Sequence, residues 1–151
     1  MKILALNGPN LNLLGTREPE IYGTTTLQQL EEDLRQHATA HCEDLVLDFL
    51  QSNHEGVLMD ALHQASGNYD AVIFNPAAYT HYSIALRDAI AAIDIPVIEV
   101  HLSNPDKRED FRQVNVIRDV CAAHFQGRGA QSYVDALDFA VQNINSDSSS
   151  A

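Results

Sequence analysis

The sequence predicts an α/β fold in which helices cover both faces of a five-stranded parallel sheet. Short apolar runs alternate along the chain with segments that have the 3.6-residue helical period, which is the order of right-handed βαβ crossovers. The 151 residues, 45% of them hydrophobic, suffice for the core of one compact domain. We therefore expect a flavodoxin-like three-layer fold, with a single domain over residues 1–145 and a polar tail over 146–151.

The first half of the chain contains two predicted strands and two predicted helices. An apolar run at 3–6 ends at the helix- and strand-breaking sequence NGPN, and residues 7–25 read as a long polar, Gly-rich loop. Thr26 and Gln29 have the spacing of a capping box, so a helix should run from there to about residue 41. A strand follows at 45–50, and a helix at 55–66 should stop at Gly67.

The second half continues the alternation. Strands are predicted at 71–74 and 97–100, and the helix between them, at 83–93, should end before Pro96. The fifth strand is assigned to 116–120 or to 120–125, and both assignments stay open. The last helix is predicted at 132–144, and the small polar residues at 146–151 should form a frayed end.

The charge balance argues against several classes of partner. With 21 acidic and 9 basic residues the net charge is −12, which opposes binding to nucleic acid or to an anionic membrane surface. An anionic small molecule would require a local positive field, for which Arg17, Arg108 and Arg112 are the candidates. The first residues resemble neither a secretory signal nor a membrane span, so we expect a cytoplasmic protein.

Two scarce residue types limit the chemistry. Lys2 and Lys107 are the two lysines, so covalent catalysis through an amine has few candidates. Cys42 and Cys121 are the two cysteines and lack the spacing of a zinc site or a disulfide framework. No cofactor or metal is expected, and the first loop lacks the glycine pattern of a phosphate-binding loop.

Polar residues follow the predicted strands where ligands bind in open parallel sheets, beyond the carboxyl ends of the strands. Amide, hydroxyl and imidazole groups at these positions suit the orientation of a polyhydroxylated molecule. These residues are Asn7, Asn10, Asn12, Ser52, Asn53, His54, Asn75, Tyr79, His81, His101, Ser103 and Asn104.

Two pairs of residues suggest acid–base chemistry. Glu99 and His101 lie two apart on a strand and share a face, so the carboxylate can orient the imidazole as a general acid. Tyr22 follows Arg17 in the first loop, and a nearby cation favours an ionised phenol that can act as a base. Each pair taken alone also fits an ordinary packing role.

Four segments resemble the type II dehydroquinase family: LNGPNLNLLGTREPEIYG, QSNHEG, FNPAAYTHYSIALRDA and VHLSNPDKREDFR. They occur in the family's order, and the resemblance covers about three quarters of the chain. The resemblance implies the loss of water from 3-dehydroquinate to give 3-dehydroshikimate through an enolate. It also implies a dodecamer of four trimers and a place in the shikimate pathway of aromatic amino acid biosynthesis, with quinate breakdown as the alternative.

The resemblance also assigns roles by matched position. Tyr22 resembles the base that removes a proton from C2, and Arg17 the residue that activates it and stabilises the transition state. His101 resembles the acid for loss of the C1 hydroxyl, oriented by Glu99, and Asn12 matches the residue that places a water near the enolate. Matched substrate-binding residues are Asn75, His81, Leu102, Ser103 and Arg112, with Asp88 reaching the site from a neighbouring subunit.

The chain departs from the family pattern at several positions. Ala77 replaces a usual glycine, Tyr82 stands where a small hydroxyl residue is common, and residues 113–129 are unusually polar. Within that stretch, Arg118, Asp119 and Arg128 are positions where packing between subunits can differ.

Three other functions compete with the dehydratase. A noncatalytic ligand-binding relative would have lost turnover, and the presence of all five matched catalytic residues argues against it: Asn12, Arg17, Tyr22, Glu99 and His101. A flavin-binding module would colour the protein yellow, and a nucleotide-binding module would need the phosphate-binding loop that the first loop lacks. A metal-dependent hydrolase would use some of the seven histidines, but no HExxH motif occurs, and several histidines lie on predicted helices.

Overall fold

The computed structural model describes residues 1–150 and has the predicted alternation of strands and helices. The strands are β1 (Lys2–Asn7), β2 (Val46–Gln51), β3 (Ala71–Asn75), β4 (Val97–His101) and β5 (Ala123–Gln126). The helices are α1 (Pro19–Tyr22), α2 (Leu27–His41), α3 (Glu55–Ala65), α4 (Ile84–Ala92) and α5 (Gln131–Ser150). All strand pairs are parallel, in the order β2-β1-β3-β4-β5. This is the flavodoxin-like order, so the predicted fold class is confirmed.

The sheet separates two apolar cores. Successive side chains of a strand point to opposite faces, so Ile3 and Ala5 pack with α2 and α5, whereas Leu4 and Leu6 pack with α3 and α4. The helix residues Leu34 and Leu58 close the two sides at 2% and 0% exposure. Burial of each such leucine is worth about 1.5–3 kcal/mol. Both faces are thereby covered, which holds the carboxyl ends of the strands in fixed positions.

The fifth strand lies later than the sequence indicated. The assignment to 116–120 is wrong, and the alternative, 120–125, overlaps the observed β5 at three residues. The Asn115 side chain accepts hydrogen bonds from the backbone N–H groups of Ile117 and Arg118, at 2.9 and 2.8 Å. These bonds curl the chain into a 3-10 turn at Arg118–Val120. Pairing with β4 therefore begins only at Ala123.

The two segments predicted to be irregular contain helical structure. The loop over 7–25 includes a 3-10 turn at Leu11–Leu13 and the short helix α1. Helix α5 continues to Ser150, so the frayed end predicted from residue 146 is wrong up to that point, and Ala151 lies outside the described residues. Hydroxyls of Ser146 and Ser150 donate to carbonyls four residues earlier. Such bonds give these polar side chains partners within the helix.

No helix within residues 1–150 has the length and apolar character needed to cross a membrane.

Candidate active site

A cleft open to solvent lies at the carboxyl ends of β1, β3 and β4. Its place is the one expected for a ligand site in this sheet order. The residues that line it are Pro9, Asn10, Leu11, Arg17, Tyr22, Asn75, Ala77, Ala78, His81, His101, Leu102, Ser103, Pro105, Arg108 and Arg112.

Most of the predicted site residues meet in this cleft. Those that line it are Arg17, Tyr22, Asn75, His81, His101, Leu102, Ser103 and Arg112. Glu99 lies behind His101 and is fully buried. Asn12 is exposed on the turn next to the cleft residue Leu11, and Asp88 is exposed on α4, so neither lines the cleft of its own chain.

Tyr22 lies close to two arginines. The guanidinium carbons of Arg17 and Arg108 are 5.0 and 5.2 Å from the centre of its ring. Arg108 also donates a hydrogen bond from Nη1 to the Tyr22 hydroxyl oxygen at 2.7 Å. The Tyr22 hydroxyl therefore lies in the cleft with two guanidinium groups close to its ring.

His101 is backed by a buried carboxylate. Its Nε2 lies 2.6 Å from Oε1 of Glu99, and the same oxygen accepts hydrogen bonds from Thr80 at 2.9 Å and Asn115 at 2.6 Å. Burial would raise the pKa of Glu99, but the hydrogen bond and charge of His101, with the bonds from Asn115 and Thr80, lower it to about 2. An ionised Glu99 fixes the orientation of the imidazole, which leaves Nδ1 as the nitrogen for the cleft.

Two further polar side chains on the cleft wall are held by the fold. Asn75 donates to the buried hydroxyl of Tyr133 at 2.8 Å and accepts from the Ala77 backbone at 3.0 Å. Nδ1 of His81 lies 2.7 Å from the carbonyl of Val114. Burial lowers the pKa of His81, and the neighbouring cations lower it further against the effect of that hydrogen bond. His81 is therefore suited to act as a neutral hydrogen-bonding group.

The positive charge of the cleft contrasts with the charge of the whole chain. Arg17, Arg108 and Arg112 all line it, although the protein carries a net charge of −12. Arg112 is fixed by a 2.6 Å contact from Nε to Glu109. The local positive field that an anionic ligand would need is thus present.

The sequence did not identify Arg108 as the partner of Tyr22, nor Thr80 and Asn115 as partners of Glu99. Arg108 is 86 residues from Tyr22; the sequence singled it out as one of three candidate arginines and within a matched segment, but gave it no role. Asn115 lies in the stretch that departs from the family pattern, so no matched position pointed to it.

The rest of the described chain offers little for metal or thiol chemistry. Within residues 1–150 no group of three or more His, Cys, Asp or Glu side chains is arranged to hold a metal ion. Cys42 and Cys121 are both free. Burial and the charges of Glu99 and Asp119 raise the pKa of Cys121 to about 12, so its thiol is unreactive at neutral pH.

Comparison with known proteins gives a consistent assignment. The family model described as dehydroquinase class II matches residues 1–141. The chain is 54% identical over 143 residues to the 3-dehydroquinate dehydratase of Bacillus licheniformis, covering 95% of this chain and 97% of that protein. It is 51% identical to catabolic 3-dehydroquinase 1 of Fusarium vanettenii, covering 94% and 97%.

Solved structures agree with the sequence relatives. The type II dehydroquinase of Butyrivibrio crossotus superposes with a TM-score of 0.89 at 42% identity, over 93% of this chain and 97% of that one. The family model, the sequence relatives and the fold all point the same way, and the chain belongs to the class II dehydroquinase family.

Proposed function

We propose that this chain is a hydro-lyase that converts 3-dehydroquinate to 3-dehydroshikimate through an enolate intermediate. The observation that carries the proposal is the placement of two groups in one cleft. These are a tyrosine close to two arginines and a histidine backed by an ionised, buried glutamate. They are a base and an acid of the kinds that the reaction requires.

In the first step, the Tyr22 phenolate takes the proton from C2 of the substrate. The C–H electron pair becomes the C2–C3 double bond of an enolate, and the C3 oxygen gains negative charge. Arg17 and Arg108 stabilise the phenolate before the step, and their cations remain beside the newly formed anion. Asn12 is proposed to place a water near that oxygen, from the turn beside the cleft.

In the second step, His101 donates a proton from Nδ1 to the C1 hydroxyl. The C1–O bond breaks and water leaves, while the enolate electrons form the C1–C2 double bond and restore the C3 carbonyl. Glu99 stays ionised behind the ring and stabilises the imidazolium that must be present before the step. Proton donation and proton removal therefore come from different parts of the cleft.

Substrate binding is proposed to use the remaining wall of the cleft. Arg112, beside the other arginines, offers positive charge for the substrate carboxylate. Asn75 and His81, with the backbone of Leu102 and Ser103, offer hydrogen bonds to its hydroxyl groups. These groups are held by contacts within the fold, so little ordering is needed on binding.

The assembly is also part of the proposal. We infer a homododecamer of four trimers in which Asp88 reaches the cleft of a neighbouring subunit, since it is exposed on α4 and outside its own cleft. Exposed apolar side chains suitable for subunit contacts are Tyr82, Ile84, Phe111 and Val114. Light scattering should give a mass about twelve times that of one chain, and a monomer at assay concentration would contradict this inference.

We propose a cytoplasmic location and a role in aromatic amino acid biosynthesis. Quinate breakdown is retained as the alternative, since it uses the same reaction and three of the similar proteins are named catabolic 3-dehydroquinases.

The base is tested by Tyr22→Phe, which removes the phenol oxygen and keeps the ring. Turnover should fall by at least about 100-fold, while substrate binding measured by calorimetry changes little. Tyr69→Phe is the matched control, because the Tyr69 hydroxyl contacts Asp48 outside the cleft. Unchanged turnover in Tyr22→Phe would overturn the assignment of the base.

A further inference from the structure

A second charged side chain faces Glu99 from behind. Nε of Arg118 lies 3.8 Å from Oε2 of Glu99. Neither atom has a hydrogen-bond partner among residues 1–150, and both are buried. The other carboxylate oxygen, Oε1, carries all three of the contacts from His101, Thr80 and Asn115. The two ends of the carboxylate are therefore occupied differently, with the imidazole at one end and a guanidinium at the other.

The guanidinium of Arg118 is fixed in place by its surroundings. Nη2 donates to the side chain of Gln126 at 2.7 Å. Gln126 in turn donates to Asn104 at 3.2 Å, in the segment that follows the cleft residue Ser103. The Asn115 oxygen accepts from the Arg118 backbone, while the Asn115 nitrogen donates to Glu99. Arg118 is thus tied to both Glu99 and the segment after β4.

We propose that Arg118 is a positioning residue that acts on His101 through Glu99. Its cation partly neutralises the negative charge of the Glu99 carboxylate, so that the His101 imidazolium releases its proton to the substrate more readily. The inference rests on the proposed function, because His101 must act as the acid for the effect to matter.

Glu99 and His101 form a buried acid–base pair that a third charge can influence. Glu99 is 0% exposed and His101 is 7% exposed, so their attraction is weakly screened by solvent. With no other cation, such a carboxylate would hold the imidazolium proton tightly and weaken it as an acid. A cation at Oε2 opposes this effect by direct repulsion of the imidazolium and by attraction of the carboxylate. Arg118 is 33% exposed in its side chain, which moderates the effect.

Other titratable groups lie around the Glu99–His101 pair. His81, Arg108 and Arg112 share the cleft with His101. Burial and the charges of Glu99 and Asp119 raise the pKa of Cys121 to about 12, against a lowering by Arg118. Loss of the Arg118 cation would therefore leave this thiol protonated near neutral pH. A difference in pH dependence between the wild type and an Arg118 variant therefore reports on Arg118.

The test compares kcat, KM and the pH dependence of kcat in R118M, R118K and wild type. In R118M, kcat should fall about three- to tenfold with little change in KM, because His101 would donate its proton to the substrate less readily. The alkaline limb of kcat should move to higher pH by at least about half a pH unit. R118K keeps the charge and should recover most of both effects. R128M is the matched control, since Arg128 pairs with the Asp135 carboxylate at the surface.

The outcomes distinguish a positioning role of Arg118 from a purely structural one. A lower kcat with a shifted limb in R118M, rescued in R118K and absent in R128M, supports the proposal. An unshifted limb would overturn it, even if kcat or stability fell, because loss of packing alone does not move the limb. If R118M does not fold, R118K and R118Q are compared, and equal pH profiles of these two would overturn it. A wild type without turnover would sink the proposed function, and this inference with it.

Discussion

Glu99→Gln should remove a measurable part of the pH dependence of folding stability. Burial opposes ionisation of Glu99, yet its contacts with His101, Asn115 and Thr80 lower its pKa from an ordinary 4.5 to about 2. Because the folded pKa lies below the unfolded one, the ionised carboxylate stabilises the fold above pH 4.5, and this stabilisation is lost as the pH falls towards 2. At about 1.4 kcal/mol for each pKa unit, the full effect is about 3 kcal/mol.

The assay is urea unfolding at matched protein concentration, followed by circular dichroism at pH 6 and pH 3. About 2 kcal/mol of the contribution should be lost by pH 3. The difference in the free energy of unfolding between wild type and Glu99→Gln should shrink by that amount, because other carboxylates titrate alike in both proteins. If the free energies of unfolding of the two proteins differ by the same amount at both pH values, the reasoning is refuted. The fold would then not stabilise the ionised form of Glu99.

Three further substitutions test separate contacts. Arg108→Met should lower kcat about 10- to 100-fold, because it removes a charged hydrogen bond to Tyr22. Steady-state kinetics measure the effect, with Lys107→Met as the control, and an equal fall of kcat in both variants would contradict the prediction. Ala77→Gly should raise the free energy of unfolding by roughly 1 kcal/mol, because Ala77 has a left-handed φ of 52°; a loss of stability in urea would count against it. Tyr133→Phe should cost about 1–3 kcal/mol and raise KM, because its hydroxyl is hydrogen-bonded to Asn75 and Asn7, and unchanged values in both assays would argue against that role.

The regular elements were predictable because their signals are local. The buried strands β1 and β3 contain continuous apolar runs, and in β4 the apolar residues are interrupted by Glu99. The helix period placed α2, α3 and α4 within a residue or two of their observed bounds. The capping box at α2 is half present. The Thr26 hydroxyl accepts from the Gln29 backbone, whereas the Gln29 side chain turns to Asp33 instead. Local geometry offered Gln29 two partners, and the sequence could not choose between them.

The edge strand and the end of the chain were less predictable. β5 pairs with one neighbour, and its residues are half-buried or exposed, so it lacks an apolar signal. In α5, hydroxyl-to-carbonyl bonds let serines near residue 146 continue a helix that composition alone would end. Weak local preferences were overridden in both places by contacts that composition does not encode.

The site was predictable as a set of strand-end residues and matched segments. Its supporting contacts were not predictable, because they join positions far apart in sequence. Arg108 meets Tyr22, Asn115 meets Glu99, and Tyr133 meets Asn75 only after the sheet and its loops are assembled.

The central claim is tested most directly by the growth of ultraviolet absorbance from the conjugated product when purified protein meets 3-dehydroquinate. The assay is repeated after borohydride treatment with substrate, which traps a Schiff base, and after incubation with a chelator. We expect absorbance to grow in all three samples, since the proposed steps use side chains of this cleft alone. No growth in assembled protein, or growth abolished by either treatment, would contradict the proposed mechanism.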